Sequence, residues 1–401
     1  MRRKITDPKS AGISNEKLVL RILRQNGEIS QAQVCEFTGL RSSTLSYITG
    51  RLREKNLITE RTGESTKRGA KPVMLSINPQ GKLIISISIN PGHTVIGLFD
   101  FSCELIEKAE VYHSDNSVDN VSELVENSIR ELFNKHQIIE ENVLGIGVVV
   151  SGTVGPEGVV VLSSPLGWKD VALKKILTGK FQFSVQIYST RVRFLAETGI
   201  DNSLASKSVL YLNVADGVGG TLYTDGKILD GATGRFGELG HIIVEPDGPL
   251  CGCGHRGCLE AIISGPSLAK KIKADIAAGQ ETILSQRVEE NDTAESVISN
   301  LSNAQDKGDA YALSLRKMIA EYLSRIAAVA INCFDPQVVM LAGYVMNHSA
   351  DFFAQAIEEK LEREVYDNKS RRIEITQARA GKDVLIKGVA MAVLQDSPEV
   401  D

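Results

Sequence analysis

At 401 residues the chain exceeds one average domain, and 42% hydrophobic content is ample for packed cores and excludes wholesale disorder. No apolar run reaches the roughly 18 residues of a membrane span, and the basic start Met1–Ser10 leads into no secretory-type apolar stretch, so a cytoplasmic protein is expected. The net charge of −5 hides an asymmetry: residues 1–71 carry 15 Lys+Arg against 7 Asp+Glu, and the remainder carries 30 against 43. A basic head on an acidic body predicts that only the head meets a polyanion, the alternative being a merely solvated basic surface.

The head is predicted to hold three helices and a hairpin. Residues 15–25 place Leu18, Val19, Ile22 and Leu23 at helical spacing, with Ser14 as N-cap and Asn26-Gly27 as the stop. Glu28–Ser30 is extended, and Ser30 caps a second helix carrying Ala32, Val34 and Phe37. Thr38-Gly39-Leu40 is the tight turn a helix-turn-helix needs. A third helix over 41–53 turns Leu45, Ile48 and Leu52 inward. Its Arg41, Ser42, Ser43, Ser46 and Tyr47 lie where a recognition helix meets base edges, whereas Arg51, Arg53 and Lys55 suit phosphates. Strands at 57–60 and 73–77 flank a loop with Lys67, Arg68, Gly69 and Lys71, able to enter a minor groove. This pattern predicts a winged helix-turn-helix over 1–80 that binds double-stranded DNA; an ordinary surface helix with Ser and Thr near its cap is the rival.

After the turn Asn78-Pro79-Gln80-Gly81, strands and helices alternate and predict α/β. Strands are expected at 83–89, 94–100, 143–150, 209–214, 219–223 and 338–342. Helices are expected at 121–133, 170–177, 191–204, 309–333, 351–361 and 384–394. Trp168, the only tryptophan, is expected in a core.

Three of the six cysteines fall within Cys251-Gly-Cys253-Gly-His-Arg-Gly-Cys258, ten residues after His241, while Cys35, Cys103 and Cys333 are scattered. Three thiolates and one imidazole make a complete tetrahedral set for one structural Zn²⁺, with no position left for a reactive water. The alternative is three buried or reactive thiols with His241 elsewhere.

Gly237-Glu238-x-Gly240-His241 followed by C-x-C-G-x-x-G-C-x-E resembles the signature of the ROK family, the repressors, open reading frames and sugar kinases. The resemblance runs from Lys82 to the C-terminus, and the winged head resembles the family's repressor branch. It implies two actin-like lobes: 81–200, with the C-terminal helix 384–396 packed on it, and 201–383, carrying the zinc loop. It implies zinc on His241, Cys251, Cys253 and Cys258, and sugar hydroxyls on Glu238, His241 and Glu260, although the two carboxylates equally suit support of the zinc loop. A palindromic operator implies a homodimer or homotetramer, with a sugar, a sugar phosphate or a phosphotransferase-system protein as the signal.

Where ROK kinases have D-x-G-x-T, this chain has Asn90-Pro91-Gly92-His93-Thr94. Where they have G-T-G-x-G, it has Ala215-Asp216-Gly217-Val218-Gly219-Gly220, whose glycines are expected to serve a hairpin turn at positive φ. Tyr188 and Ser189 stand where the family's sugar-binding Asn and catalytic Asp belong. The expectation is a transcriptional regulator rather than an enzyme, with no catalytic residue; a ROK kinase with residual ATP-dependent sugar phosphorylation is the alternative. A zinc hydrolase and a constitutive architectural DNA-binding protein are lesser rivals. Loss of a general base costs about 10²–10⁴-fold. Assays with ATP and hexoses, pentoses or N-acetyl sugars are therefore expected to show no turnover; a rate of roughly 1 s⁻¹ or more, that of working kinases, contradicts this.

Overall fold

Residues 8–64 and 71–397 are described by the computed structural model, those before Asn15 by backbone alone. The chain divides into two units, Met1–Asn202 with Lys382–Asp401, and Ser203–Gly381.

The first unit opens with α1 (Pro8–Asn26). This helix starts earlier than expected, because Pro8 suits a first turn, and Ser14 therefore lies inside it instead of capping it. After β1 (Ile29–Ser30), α2 (Gln31–Thr38) starts in a capping box: Ser30 Oγ accepts from Gln33 N, and Gln33 Oε1 accepts from Ser30 N. Gly39, at φ +70°, closes α2, and α3 (Ser42–Glu54) follows with Arg41 at its N-cap. Strands β2 (Ile58–Thr62) and β3 (Val73–Ile77) complete an antiparallel sheet of order β1-β3-β2. Val19, Leu23, Val34, Leu45, Ile48 and Leu52 are buried as the periodicity predicts and Leu20 joins them, whereas Leu18 and Ile22 are half-buried and Ala32 and Phe37 exposed, because α2 turns only Val34 fully into the core.

A five-stranded sheet follows, built from β4 (Leu83–Asn90), β5 (His93–Phe99), β6 (Leu105–Tyr112), β7 (Val143–Val150) and β11 (Val185–Ser189), in the order β11-β7-β4-β5-β6. Strand β6 escapes prediction because it is an edge strand with mixed exposure and no clean apolar alternation. Between β6 and β7, α4 (Val118–His136) lays Val121, Val125, Ile129 and Leu132 into the same core as Ile85, Ile87 and Ile146. The small sheet of β8 (Thr153–Val154), β9 (Val160–Ser163) and β10 (Trp168–Val171) contains Trp168, which is buried and donates its indole N–H to Asn116 O at 2.7 Å. The helix expected at 170–177 is therefore strand up to Val171, and α5 (Leu173–Thr178) begins only afterwards. The helix expected at 191–204 is interrupted: α6 (Arg193–Ile200) ends at Asp201, which is extended.

The second unit holds a mixed sheet of order β14-β13-β12-β15-β16, from β12 (Val209–Val214), β13 (Val218–Thr224), β14 (Lys227–Ile228), β15 (Val338–Ala342) and β16 (Glu374–Gln377). Around it are α7 (Leu259–Ile263), α8 (Gly265–Ala277), α9 (Ala294–Asp306), α10 (Ala310–Phe334), α11 (Ala350–Glu364) and α12 (Asn368–Arg371). One core joins Ile319, Leu323 and Ile331 of α10 to Leu341 of β15, Leu268 of α8 and Leu301 of α9.

The chain then returns to the first unit with α13 (Val384–Asp396), which packs against α6, β4 and β7. The approach is close enough to require glycine. A Cβ on Gly388 would lie 2.2 Å from the Val192 carbonyl oxygen, and one on Gly147 2.4 Å from Val389. Ser86 Oγ donates to Ile386 O at 2.6 Å across the same contact. Gly388→Ala meets backbone, which cannot rotate aside, so thermal unfolding is expected to show a loss of about 1–3 kcal/mol. An unchanged Tm contradicts this account of the contact.

Candidate functional site

Two backbone constraints build the cysteine loop. Gly257 has φ +72°, and a Cβ there would fall 1.5 Å from Glu245 O, so the chain passes itself at backbone contact. Val244 N donates to Gly257 O at 2.9 Å and Gly257 N to Pro249 O at 2.8 Å, pinning the two arms together. Cys251 N donates to His255 O at 2.7 Å and closes the turn that carries Cys253. Just upstream, a 3₁₀ turn at Leu239–His241 presents the imidazole.

The ligand atoms of His241, Cys251, Cys253 and Cys258 all lie within 4.8 Å of one another and form a group able to hold a metal ion. Cys253 and Cys258 sulfurs are 3.7 Å apart, and Cys251 Sγ is 3.7 Å from His241 Nδ1. Tetrahedral Zn–S bonds of about 2.3 Å set sulfurs about 3.8 Å apart, so this donor set fits zinc. Cys251 and Cys258 are buried, while Cys253 and His241 are exposed. Burial raises the Cys251 thiol and pushes Cys258 up to about 12. Cys253 is drawn down to about 6, chiefly by the backbone N–H of His255, whose Nδ1 also lies 3.5 Å from its sulfur. Sequence reasoning passed over His255, which the C-x-C-G-H string displays openly.

The two carboxylates differ. Glu238 Oε2 lies 4.0 Å from His241 Nε2, on the side of the ring away from the thiol, as an outer-shell carboxylate behind a metal-binding imidazole would. Glu260, in the first turn of α7, accepts Val218 N–H at 3.0 Å and so reaches the turn between β12 and β13. That turn is where a ROK kinase would hold phosphate. The expected positive φ at Gly217, Gly219 and Gly220 is absent. Smallness is used instead: a Cβ on Gly217 would lie 2.8 Å from Glu260 Oε2, and one on Gly220 2.6 Å from Leu239. Asp216 accepts a 2.7 Å hydrogen bond from Tyr344 Oη, a residue no local motif marks. Ala215 N is taken by Gly217 O.

The first loop is likewise spent. Pro91-Gly92 makes a two-residue turn with Gly92 at φ +77°, and Gly92 N donates to Asn116 Oδ1 at 3.0 Å. Asn90 Nδ2 lies 3.4 Å from Ser88 O and 3.5 Å from His93 Nε2. Tyr188 donates to Asp396 Oδ2 at 3.0 Å, and burial raises its phenol.

On the head, Arg41, Ser42, Ser43, Ser46 and Tyr47 are all exposed, forming one row at the N-terminal end of α3. Lys71 is exposed, while Lys67 and Arg68 lie outside the described residues. Arg51 stands apart: it pairs with the buried Glu16 of α1 at 2.8 Å, and Lys55 reaches the same carboxylate at 3.0 Å. Arg53 pairs with Glu60 and Arg61 with Glu28. Glu16 went unremarked in the sequence, yet Glu16, Val19, Leu20 and Leu23 share one helical face, and a carboxylate on an apolar stripe demands a cation.

The ROK family profile matches residues 84–396, and that of the MarR family matches 14–69. The chain belongs to the ROK family. A xylose repressor of Bacillus spizizenii is 24% identical over 95% of this chain and 95% of its own. The DNA-binding transcriptional dual regulator NagC of Escherichia coli is 26% identical over 82% of this chain and 80% of its own. The crystal structure of a ROK family transcriptional regulator, a homolog of the E. coli MLC protein, is 26% identical, covers 96% of both chains and superposes with a TM-score of 0.82. The ROK body thus follows a MarR-type winged helix, and the fold is mixed α/β as expected. No described helix is long and apolar enough to cross a membrane.

Two glycines of the ROK cysteine loop separate backbone contact from mere conformation. Gly254 has φ +94° with nothing within 4 Å of an added Cβ, whereas Gly257 meets Glu245 O. Gly257→Ala is expected to abolish metal retention and lower Tm; Gly254→Ala is expected to keep the metal with a smaller Tm loss. Metal content and melting of both variants check this, and equal behaviour contradicts it.

Proposed function

We propose that this ROK protein is a sequence-specific DNA-binding transcriptional repressor of carbohydrate-metabolism genes, with a body that senses and does not phosphorylate. The observation that carries this is the exposed row Arg41, Ser42, Ser43, Ser46 and Tyr47 on the helix of a winged head joined to a ROK body. Those side chains suit base edges, and Lys71, with Lys67 and Arg68, suits phosphates or the minor groove. The names of the repressor relatives support it. Against phosphoryl transfer stand Ser189 in place of a carboxylate, Asp216 where polyphosphate would lie, and loop amides already bonded within the protein.

In this reading one Zn²⁺ per chain sits on His241, Cys251, Cys253 and Cys258. It is structural, because four protein ligands leave no open position. Beside that loop stand the exposed Glu238 and the half-exposed Glu260, which in this reading meet, with His241, a sugar or sugar-phosphate effector. A phosphotransferase-system protein is the other candidate signal. A homodimer, or a tetramer of such pairs, presents two heads to half-sites about 34–36 Å apart.

Metal analysis of chelator-free protein is expected to give one zinc per chain; none ends the zinc assignment. Site selection from random duplexes is expected to return a two-fold motif. Arg41→Ala should relax base preference by about 1–3 kcal/mol at one position per half-site. Lys71→Ala should weaken binding to every sequence and lower the salt slope by about one. Failure of the wild type to select any motif overturns the proposal.

A further inference from the structure

The recognition helix α3 is tied to α1 by one carboxylate. Glu16 is 1% exposed and faces two cations of α3, Arg51 at 2.8 Å and Lys55 at 3.0 Å. A carboxylate taken out of water requires such partners. Arg51, and Lys55 at the C-cap of α3, are thereby paired with a buried carboxylate while their side chains stay 41% and 34% exposed.

About 12 Å further along α1, two turns and a little more, Arg24 seats the same helix on the rest of the first unit. Its guanidinium lies 4.6 Å over the ring of Phe101, in the turn between β5 and β6. Arg24 Nε and Nη2 are out of solvent and find no hydrogen-bond acceptor among the described residues. Burial pushes this guanidinium down to about 10 and raises the neighbouring Cys103 thiol to about 12. A cation held this way gains the ring contact but gives up hydration with no carboxylate paired to it among the described residues, so its seat is costly to keep. Two further bonds join α1 to the same unit: Lys17 Nζ to Gln395 O at 3.2 Å, at the end of α13, and Asn202 Nδ2 to Gln25 O at 2.6 Å, just after α6. Helices α13 and α6 pack on each other.

We propose that α1 is the rigid link between the sensing body and the DNA-reading helix, with Glu16 as a positioning residue that withholds Arg51 and Lys55 from the phosphate backbone and Arg24 as the releasable seat on Phe101. This rests on the reading of the chain as a DNA-binding regulator. The link sets affinity through charge. While Glu16 is engaged, binding relies on the Arg41–Tyr47 row and stays selective. When α1 shifts, two cations are freed for sequence-independent contact.

The test uses the full-length protein and the duplex the wild type selects, beside a scrambled duplex, across a salt series. Glu16→Gln is expected to tighten binding to the scrambled duplex, to steepen the salt slope by about one to two, since each phosphate contact contributes about 0.9, and to reduce the specific-to-scrambled ratio about tenfold. A merely structural role would weaken binding to both duplexes without steepening the slope, and that result overturns the positioning role. Arg51→Gln supplies the check should Glu16→Gln fold poorly: alone it should leave the slope unchanged, and a fall of about 0.9 shows that Arg51 already contacts phosphate and overturns the withholding. Hydrogen exchange reads the seat. Adding the selected duplex should change exchange at 99–104 in the wild type but not in Arg24→Met, while 15–23 responds in both. No change at 99–104 in the wild type overturns the link. A wild type that selects no motif overturns the DNA-binding reading itself, and is thus distinguished from failure of the link.

Discussion

Much of the second unit turns on one hydrogen bond, the Val218 N–H donated to Glu260 Oε2 at 3.0 Å. Glu260 stands two residues after Cys258, so this bond fixes the start of β13 and the end of the cysteine loop to each other. Gly217 must lack a side chain to let the carboxylate in, and Gly265 N donates to Ala215 O at 2.8 Å, bringing the start of α8 to the same turn. Tyr344 reaches Asp216 in that turn, and a Cβ on Gly265 would lie 2.0 Å from the Tyr344 hydroxyl. A turn held this way is rigid, and the residues holding it are carboxylates and a phenol. In a kinase the same place must stay open to a polyanion. The backbone path depends on packing, whereas affinity for phosphate depends on free amides and positive charge, and in this turn Val218 N–H is bonded to Glu260 and the Asp216 carboxylate to Tyr344.

The cysteine loop follows the same logic of backbone first. Its sulfurs converge because the chain can pass within contact distance of itself at Gly257, a position that no side chain and few other backbones tolerate. Two of its thiols are buried and raised by that burial, and one is exposed and lowered by the His255 backbone N–H. A metal ion that takes all three as thiolates gives a single reason for their convergence.

In the head, charge is partitioned by use. Glu16, Glu28 and Glu60 pair with Arg51, Lys55, Arg61 and Arg53, of which Arg53 and Arg61 stay exposed beside Arg41 and Lys71. A gross count of Lys and Arg therefore overstates what the head can offer to DNA. Pairs on the surface contribute little to stability, but the buried Glu16 is different, since leaving it unpaired would strand a carboxylate in an apolar core.

By itself the sequence determined the class of fold, the three head helices, the two wing strands, the buried strand Val143–Val150 and the grouping of His241 with three cysteines. Each is written in a period of two or 3.6 or in spacings of a few residues, which are local signals. The edge strand β6, the switch from strand to helix at Ala172 and the break at Asp201 were not legible, because each depends on neighbours far along the chain. The ROK signature marked Glu260 as important but not what it touches. Only tertiary structure decided that its partner is Val218 N–H, that Tyr344 closes on Asp216 across 128 residues, and that Arg51 pairs with Glu16. The physical reason is the same each time. Side-chain type and spacing say what a residue can bond, and the packing of distant elements decides which partner is within 3 Å of it.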